Sequence, residues 1–272
     1  MTATSFIGLS PFQWLALVVV CLTLLIIAEA FVGHYRRGFG MRAQYAPLVS
    51  GGLLVVTAIL AALKPEASEA NMALQATGWL AVVGGLVGFG FHHYYGLAKK
   101  PGGYKWLLHH LMYSAPPLAP LALTITGVLS LIAARGLAHQ SSIGSISLRT
   151  ALLILIAVSL AGATLQATLL HYRGAFNNPI MFAPLTVPVL AILLAIWMIV
   201  SANVVVVSVF AIALWLTFLM GFIGWGMHLR GFGRQMGGLF VTLFNLLEGP
   251  AVTAPALFTA FAAVGLIVVY LL

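Results

Sequence analysis

From Pro179 to Met227 the chain carries no Asp, Glu, Lys, Arg or His. A single membrane-crossing helix needs about 20 apolar residues to span a ~30 Å hydrocarbon core, so this stretch is read as two spans with a tight turn at Ser201-Ala202-Asn203. Runs of the same kind recur along the whole chain. They predict eight helices: Pro11 to Gly33, Tyr45 to Leu63, Met72 to Phe91, Pro116 to Ala134, Thr150 to Leu170, Pro179 to Val200, Val204 to Met227 and Pro250 to Leu272. Because lipid offers backbone groups no partners, such runs cross as helices.

The runs are punctuated in a repeating way. His34-Tyr35-Arg36-Arg37-Gly38-Phe39 is echoed by His171-Tyr172-Arg173-Gly174-Ala175-Phe176, 137 positions later. His93-Tyr94-Tyr95-Gly96 and His228-Leu229-Arg230-Gly231, 135 apart, are weaker echoes. Each follows an odd-numbered run, and Ala-Pro or Pro-Pro opens the run after it. A repeat at this spacing predicts an all-α membrane protein of two parallel four-helix units, 1–136 and 137–272, each made of two helix–basic loop–helix hairpins. The Ser- and Gly-rich stretch from Arg135 to Arg149 is the expected linker.

Only 6 % of the 272 residues are charged and 62 % are hydrophobic. A soluble domain carries roughly 25 % charge, so this chain cannot cover itself in water. The formal net charge of +8 would suit nucleic acid, but its placement argues for lipid. Arg36, Arg37, Arg42, Lys99, Lys100, Lys105, Arg173, Arg230 and Arg234 all follow odd-numbered runs, which is the positive-inside pattern. The expectation is a cytoplasmic (inner) membrane protein with both termini on the non-cytoplasmic side. Arg36, Arg37, Lys99, Lys100, Arg173 and Arg230 would face anionic headgroups. The lone cysteine, Cys21, lies within the first run, so neither a disulfide framework nor a thiolate metal site is available.

Seven of the eight histidines fall on the predicted inner side. Across an axis along the membrane normal, His34 would face His171 and His93 would face His228. Paired imidazoles at one depth are what the two axial positions of a haem need, and imidazole also binds zinc and non-haem iron. His34, His93, His171 and His228 are therefore the candidate cofactor ligands. His92, His93, His109, His110, Glu29 and Glu248 are the candidate ligands of a non-haem metal. An acid at membrane depth is a functional candidate by default. Glu29 becomes Gln166 in the second half, and Glu248 stands where the first half has Tyr113. The alternative for the helix-end histidines is interfacial anchoring, since a helix C-terminus favours a cation and Tyr and Arg reach headgroups from there.

Membrane di-iron desaturases also place histidines and acids on one face, but in HxxxH and HxxHH boxes. Only the adjacent pairs His92-His93 and His109-His110 occur here. Glycine clusters such as Gly84-Gly85 lie inside apolar runs and are no phosphate loops; with Gly88 and Gly90 they predict a smooth face for close helix packing. Tyr104 to Tyr113, and Gly238 to Leu247 in the second half, are expected to lie as amphipathic segments in the interface.

The reading taken forward is a polytopic membrane subunit that scaffolds or anchors a complex of other membrane or peripheral subunits, holding haem or quinone at its His-rich inner face. Two others stand beside it. One is a secondary transporter with a site between the halves at Gln75, Thr124, Thr126, Thr164 or Gln166. The other is an intramembrane His/Glu metalloenzyme.

Overall fold

The computed structural model describes residues 6–234, 237, 238, 245 and 251–272. Among the described residues nine α-helices follow one another: α1 (Pro11–Tyr35), α2 (Ala46–Leu63), α3 (Ser68–His93), α4 (Leu107–Tyr113), α5 (Ala119–Leu137), α6 (Leu148–Arg173), α7 (Ala183–Val200), α8 (Val204–Gly233) and α9 (Ala254–Leu271). All but the short α4 are long and apolar enough to cross a membrane, which gives eight spans. The chain is a multi-pass, helical membrane protein.

The helix starts are written locally. Ser10 and Gln13 form a capping box at α1, Ser147 accepts from the Thr150 N–H at α6, and Asn203 Oδ1 accepts from the Val206 N–H at α8. These side chains satisfy amides that a helix leaves open at its first turn. The helices α2, α5, α7 and α9 all open on Ala-Pro, where the missing proline N–H costs nothing. Of the two prolines in α7, Pro184 is therefore a starter, and only Pro188 lies in the helix interior, where it is buried.

Two rings of helices close. One runs α1–α2–α3–α5 and back to α1; the other runs α6–α7–α8–α9 and back to α6. They join where α1 packs on α9 and α5 on α6. A single buried cluster passes through these four central helices, including Leu22 and Ile26, Leu129 and Ile132, Leu152 and Ile156, and Phe258 and Phe261. The outward faces keep large apolar side chains such as Val49, Leu53, Trp79, Val158 and Leu193 exposed, as a lipid-facing surface requires. Between the rings the connection is shorter than expected and partly ordered: α5 continues to Leu137, α6 begins at Leu148, and between them Ser142–Ile143 (β1) pairs antiparallel with Ile146–Ser147 (β2) in a small hairpin. Gly144 supplies the left-handed conformation at its turn.

Close packing recurs at α3 on α5 and at α8 on α9. A Cβ added at Gly85 would lie 2.6 Å from the Thr124 amide nitrogen and 2.8 Å from the Pro120 oxygen. At Gly221 it would lie 2.7 Å from the Thr259 amide nitrogen and 2.9 Å from the Pro255 oxygen. Glycine lets the backbones meet here. Gly88 and Gly224 likewise lie against Pro120 and Pro255, whereas Gly90 meets nothing and Gly84 touches only Ser50. Of the clustered glycines of α3, Gly85 and Gly88 meet α5, and Gly78 joins them against Ser130.

Candidate functional site

The seven candidate histidines gather at one end of the bundle, where α1, α3, α6 and α8 finish, and His139 lies at the other beside Glu66. Two turns there share one geometry. After α1, the Gly38 N–H bonds the Tyr35 oxygen at 2.9 Å and the Phe39 N–H the His34 oxygen at 3.2 Å; after α6, Ala175 bonds Tyr172 and Phe176 bonds His171 at the same two distances. Phe39 and Phe176 are both left-handed, with φ 46°. Each ring stacks at 4.5 Å on an aromatic partner, Phe39 on Tyr45 and Phe176 on Phe182. A bulky residue is held in this costly conformation only by surroundings that fix it.

The imidazoles pair within each ring of helices, not across the molecule. His34 meets His92 edge-to-face with centroids 6.2 Å apart, and His171 lies within electrostatic reach of His228. Among the described residues no ring contact joins His34 to His171 or His93 to His228, the pairs expected from the repeat. The reason is architectural: the halves meet through α1 on α9 and α5 on α6, so the ends of α1 and α6 belong to separate rings.

The residue that matches His228 in geometry is His92, one position before His93. His92 Nδ1 donates to the Pro116 carbonyl at 2.8 Å, and His228 Nδ1 to the Ala251 carbonyl at 2.7 Å. His171 Nδ1 donates to the Met181 carbonyl at 2.9 Å. A carbonyl only accepts, so each of these rings carries its proton on Nδ1 and, when neutral, its lone pair on Nε2. Backbone carbonyls orient metal-ligating histidines in this way. His93 instead bonds the Tyr104 hydroxyl through Nε2.

One residue explains the shift. Lys99 N–H bonds the Tyr94 oxygen at 2.8 Å, making a π turn over Tyr94–Ala98, while α8 runs as α-helix through the matching place. From His92 to Gly102 is ten positions and from His228 to Gly237 nine; a π turn takes up one extra residue. Aligning Gly85, Gly88 and Gly90 with Gly221, Gly224 and Gly226, all 136 apart, would have revealed it from the sequence.

Glu29 is committed elsewhere. Its Oε1 accepts from the Thr253 amide at 2.8 Å and from the Thr253 hydroxyl at 2.7 Å, which caps α9 from another helix. Its second-half counterpart, Gln166, has neither amide atom paired, and both are buried; Thr164 Oγ1 and Trp225 Nε1 are in the same condition. Glu248 lies outside the described residues, as does most of Gly238 to Leu247. Among the described residues no three His, Cys, Asp or Glu side chains come together as metal ligands.

The remaining candidates form the rim. His109 and His110 lie on α4, where His110 is buried and donates through Nε2 to the Pro101 carbonyl at 3.1 Å. Lys99 sits over the rings of Tyr94 and Tyr95, and Arg173 over Tyr113. Arg37 lies within electrostatic reach of His34 and His92. Arg36, Arg37, Lys99, Arg173 and Arg230 are exposed at this end, and Lys100 is half-buried.

The hydroxyls named for transport are largely spent. Thr126 bonds its own helix at Ala122, and Thr124 reaches the Val82 carbonyl at 3.4 Å; Thr164 and Gln166 keep buried unpaired atoms. No protein-family model, curated protein or solved structure matches the chain.

Proposed function

We propose that the chain is a polytopic subunit of a membrane complex, a scaffold whose His-rich end faces the cytoplasm and holds a two-ligand redox group, haem above all. On this reading residues 1–136 and 137–272 are two copies of a four-helix unit related by an axis along the membrane normal. What supports the duplication is the set of matched details: the two left-handed Phe turns, the two Gly-on-Thr contacts, and the two histidines bonded to the carbonyls that precede α5 and α9.

The observation that carries the functional reading is the His34–His92 contact, with its counterpart at His171 and His228. Two imidazoles without a third ligand suit the two axial positions of a haem, whereas zinc and non-haem iron ask for three or four protein ligands. His92, His171 and His228 present Nε2, with Nδ1 held by a carbonyl. His34 and His92 would hold one group and His171 and His228 the other, and a bound haem would supply one-electron transfer. Arg37 beside the first pair would meet an acidic substituent of the group. Quinone, the other candidate, would use the same imidazoles as hydrogen-bond donors and acceptors. The apolar core between the halves favours a scaffold over a solute path, and the engagement of Glu29 by Thr253 takes one of the two candidate acids from the metalloenzyme reading.

The test is an oxidised-minus-reduced optical spectrum of the full chain purified in mild detergent, with metal analysis and native electrophoresis on the same sample. Sharp Soret and α bands that His92→Leu and His228→Leu each diminish, while His93→Leu spares them, are expected. A colourless, metal-free protein that migrates without partners would overturn the proposal.

A further inference from the structure

A hollow of about 520 Å³ opens at the His-bearing end, beside α4. Lys100, Trp106, His109, His110, Tyr113 and Ser114 line it. His109 stacks on Tyr113 with centroids 4.8 Å apart, and the Arg173 guanidinium lies 5.1 Å above the Tyr113 ring. From this cluster of cations, hydroxyls and aromatic faces we infer a binding site for a phosphate ester, carried by a lipid headgroup or by a soluble metabolite.

The chemistry is one-sided. Lysine and arginine donate to phosphate oxygens, the latter through a fork that can engage two at once. Histidine adds a third donor, and Ser114 and Tyr113 add hydroxyls. Among the described residues no carboxylate lines the hollow. Of the chain's four acids, Glu66 and Glu69 lie at the far end and Glu29 is bound to Thr253, while Glu248 falls outside the described residues. The aromatic rings present flat faces to the carbon skeleton that an ester carries.

The wall is built, and it differs from its echo. Gly102 and Gly103 are left-handed, with φ 77° and 48°, and Gly237 and Gly238 repeat this at 79° and 53°. A Cβ at Gly102 would run into the indole of Trp106, so the glycine lets that ring close the hollow. At the same spacing of 135, the second half has Gln235 for Lys100, Val241 for Trp106, Phe244 for His109 and Glu248 for Tyr113. A general interfacial belt would keep its basic and aromatic residues in both halves. The second half keeps Arg234, Phe240 and Phe244 but has no counterpart of the Lys100 and His109 donors. On the other flank of α4, Leu111 lines an apolar crevice of about 190 Å³ with Phe89, Leu97, Leu118, Leu165 and Leu169, which favours an ester attached to a chain.

Native mass spectrometry of the detergent-solubilised full chain, titrated with phosphatidylglycerol or phosphatidylcholine, tests this. One anionic lipid should be retained, and Lys100→Gln/His109→Phe, which borrows the second half's own residues, should weaken it about tenfold. Lys105→Gln, an exposed charge on the same loop outside the hollow, should not. Displacement by glycerol 3-phosphate or inorganic phosphate would make the ligand soluble, and resistance to both would make it a lipid; either result supports the site. Equal weakening by Lys105→Gln, or no preference for the anionic lipid, would overturn it. If the double variant fails to purify, Gly102→Ala keeps every charge but displaces Trp106, and unchanged retention there would overturn the proposal too.

Discussion

Glu29 reaches from the last turns of α1 to Thr253, accepting from its amide at 2.8 Å and its hydroxyl at 2.7 Å. The bond pins the start of the final helix to the first, 224 positions away. It also sets a carboxylate at a helix N-terminus, where the backbone dipole favours negative charge. Glu29→Ala is expected to destabilise the protein by about 2 kcal/mol, as for hydrogen bonds to a charged group, and Thr253→Val by about 1 kcal/mol. Thermal unfolding in detergent, with Glu29→Gln falling between wild type and Glu29→Ala, checks the order.

Gln166 occupies the place of Glu29 in the second half and has nothing to bond. Both its amide atoms are buried without partners. Since an unpaired buried polar group costs about 1–3 kcal/mol, Gln166→Leu should raise the melting temperature where most buried substitutions lower it. A lower one would mean that a polar partner or ligand engages the amide in solution.

Ala175 is left-handed, with φ 55°, where Gly38 serves in the first half at φ 67°. An L-residue in this conformation costs roughly 1–2 kcal/mol. Exchanging the two should therefore act with opposite signs: Ala175→Gly stabilises and Gly38→Ala destabilises, each by about 1 kcal/mol. Paired melts of the two single variants are enough to see it.

The backbone contacts at Gly85 and Gly221 leave no room for a methyl group. Gly85→Ala and Gly221→Ala should each cost about 1–3 kcal/mol as overpacking, while Gly90→Ala and Gly226→Ala, which meet nothing within 4 Å, should be close to neutral. Yield and melting temperature of the four variants decide this.

The eight spans were legible because apolar runs, Ala-Pro starts and basic loops all mark the same boundaries. The side-chain pairing was not. An alignment built on the His-Tyr echo chose His93 over His92, because two adjacent histidines cannot be told apart by identity, and the insertion that shifts the register is a backbone feature. The partner of Glu29 was also hidden: Thr253 has no counterpart to signal it, the first half holding Leu118 at that place. Ring closure made the histidines pair within a half, and closure is a property of helix packing that no local spacing reports. The hairpin at Ser142 to Ser147 hides in what reads as a Ser- and Gly-rich linker.

The π turn at Tyr94–Ala98 gives the chain a local degree of freedom. An extra residue inside an α-helix would ordinarily turn everything beyond it by about 100° and lengthen it by 1.5 Å. Confined to one widened turn, it leaves the glycine face of α3 seated on α5 and moves only the residues C-terminal to it. The one extra residue is thus taken up before Lys100, Trp106 and His109 are reached, while the bundle below keeps its packing. A bundle of closed helix rings can in this way vary the length of one mouth without disturbing the walls.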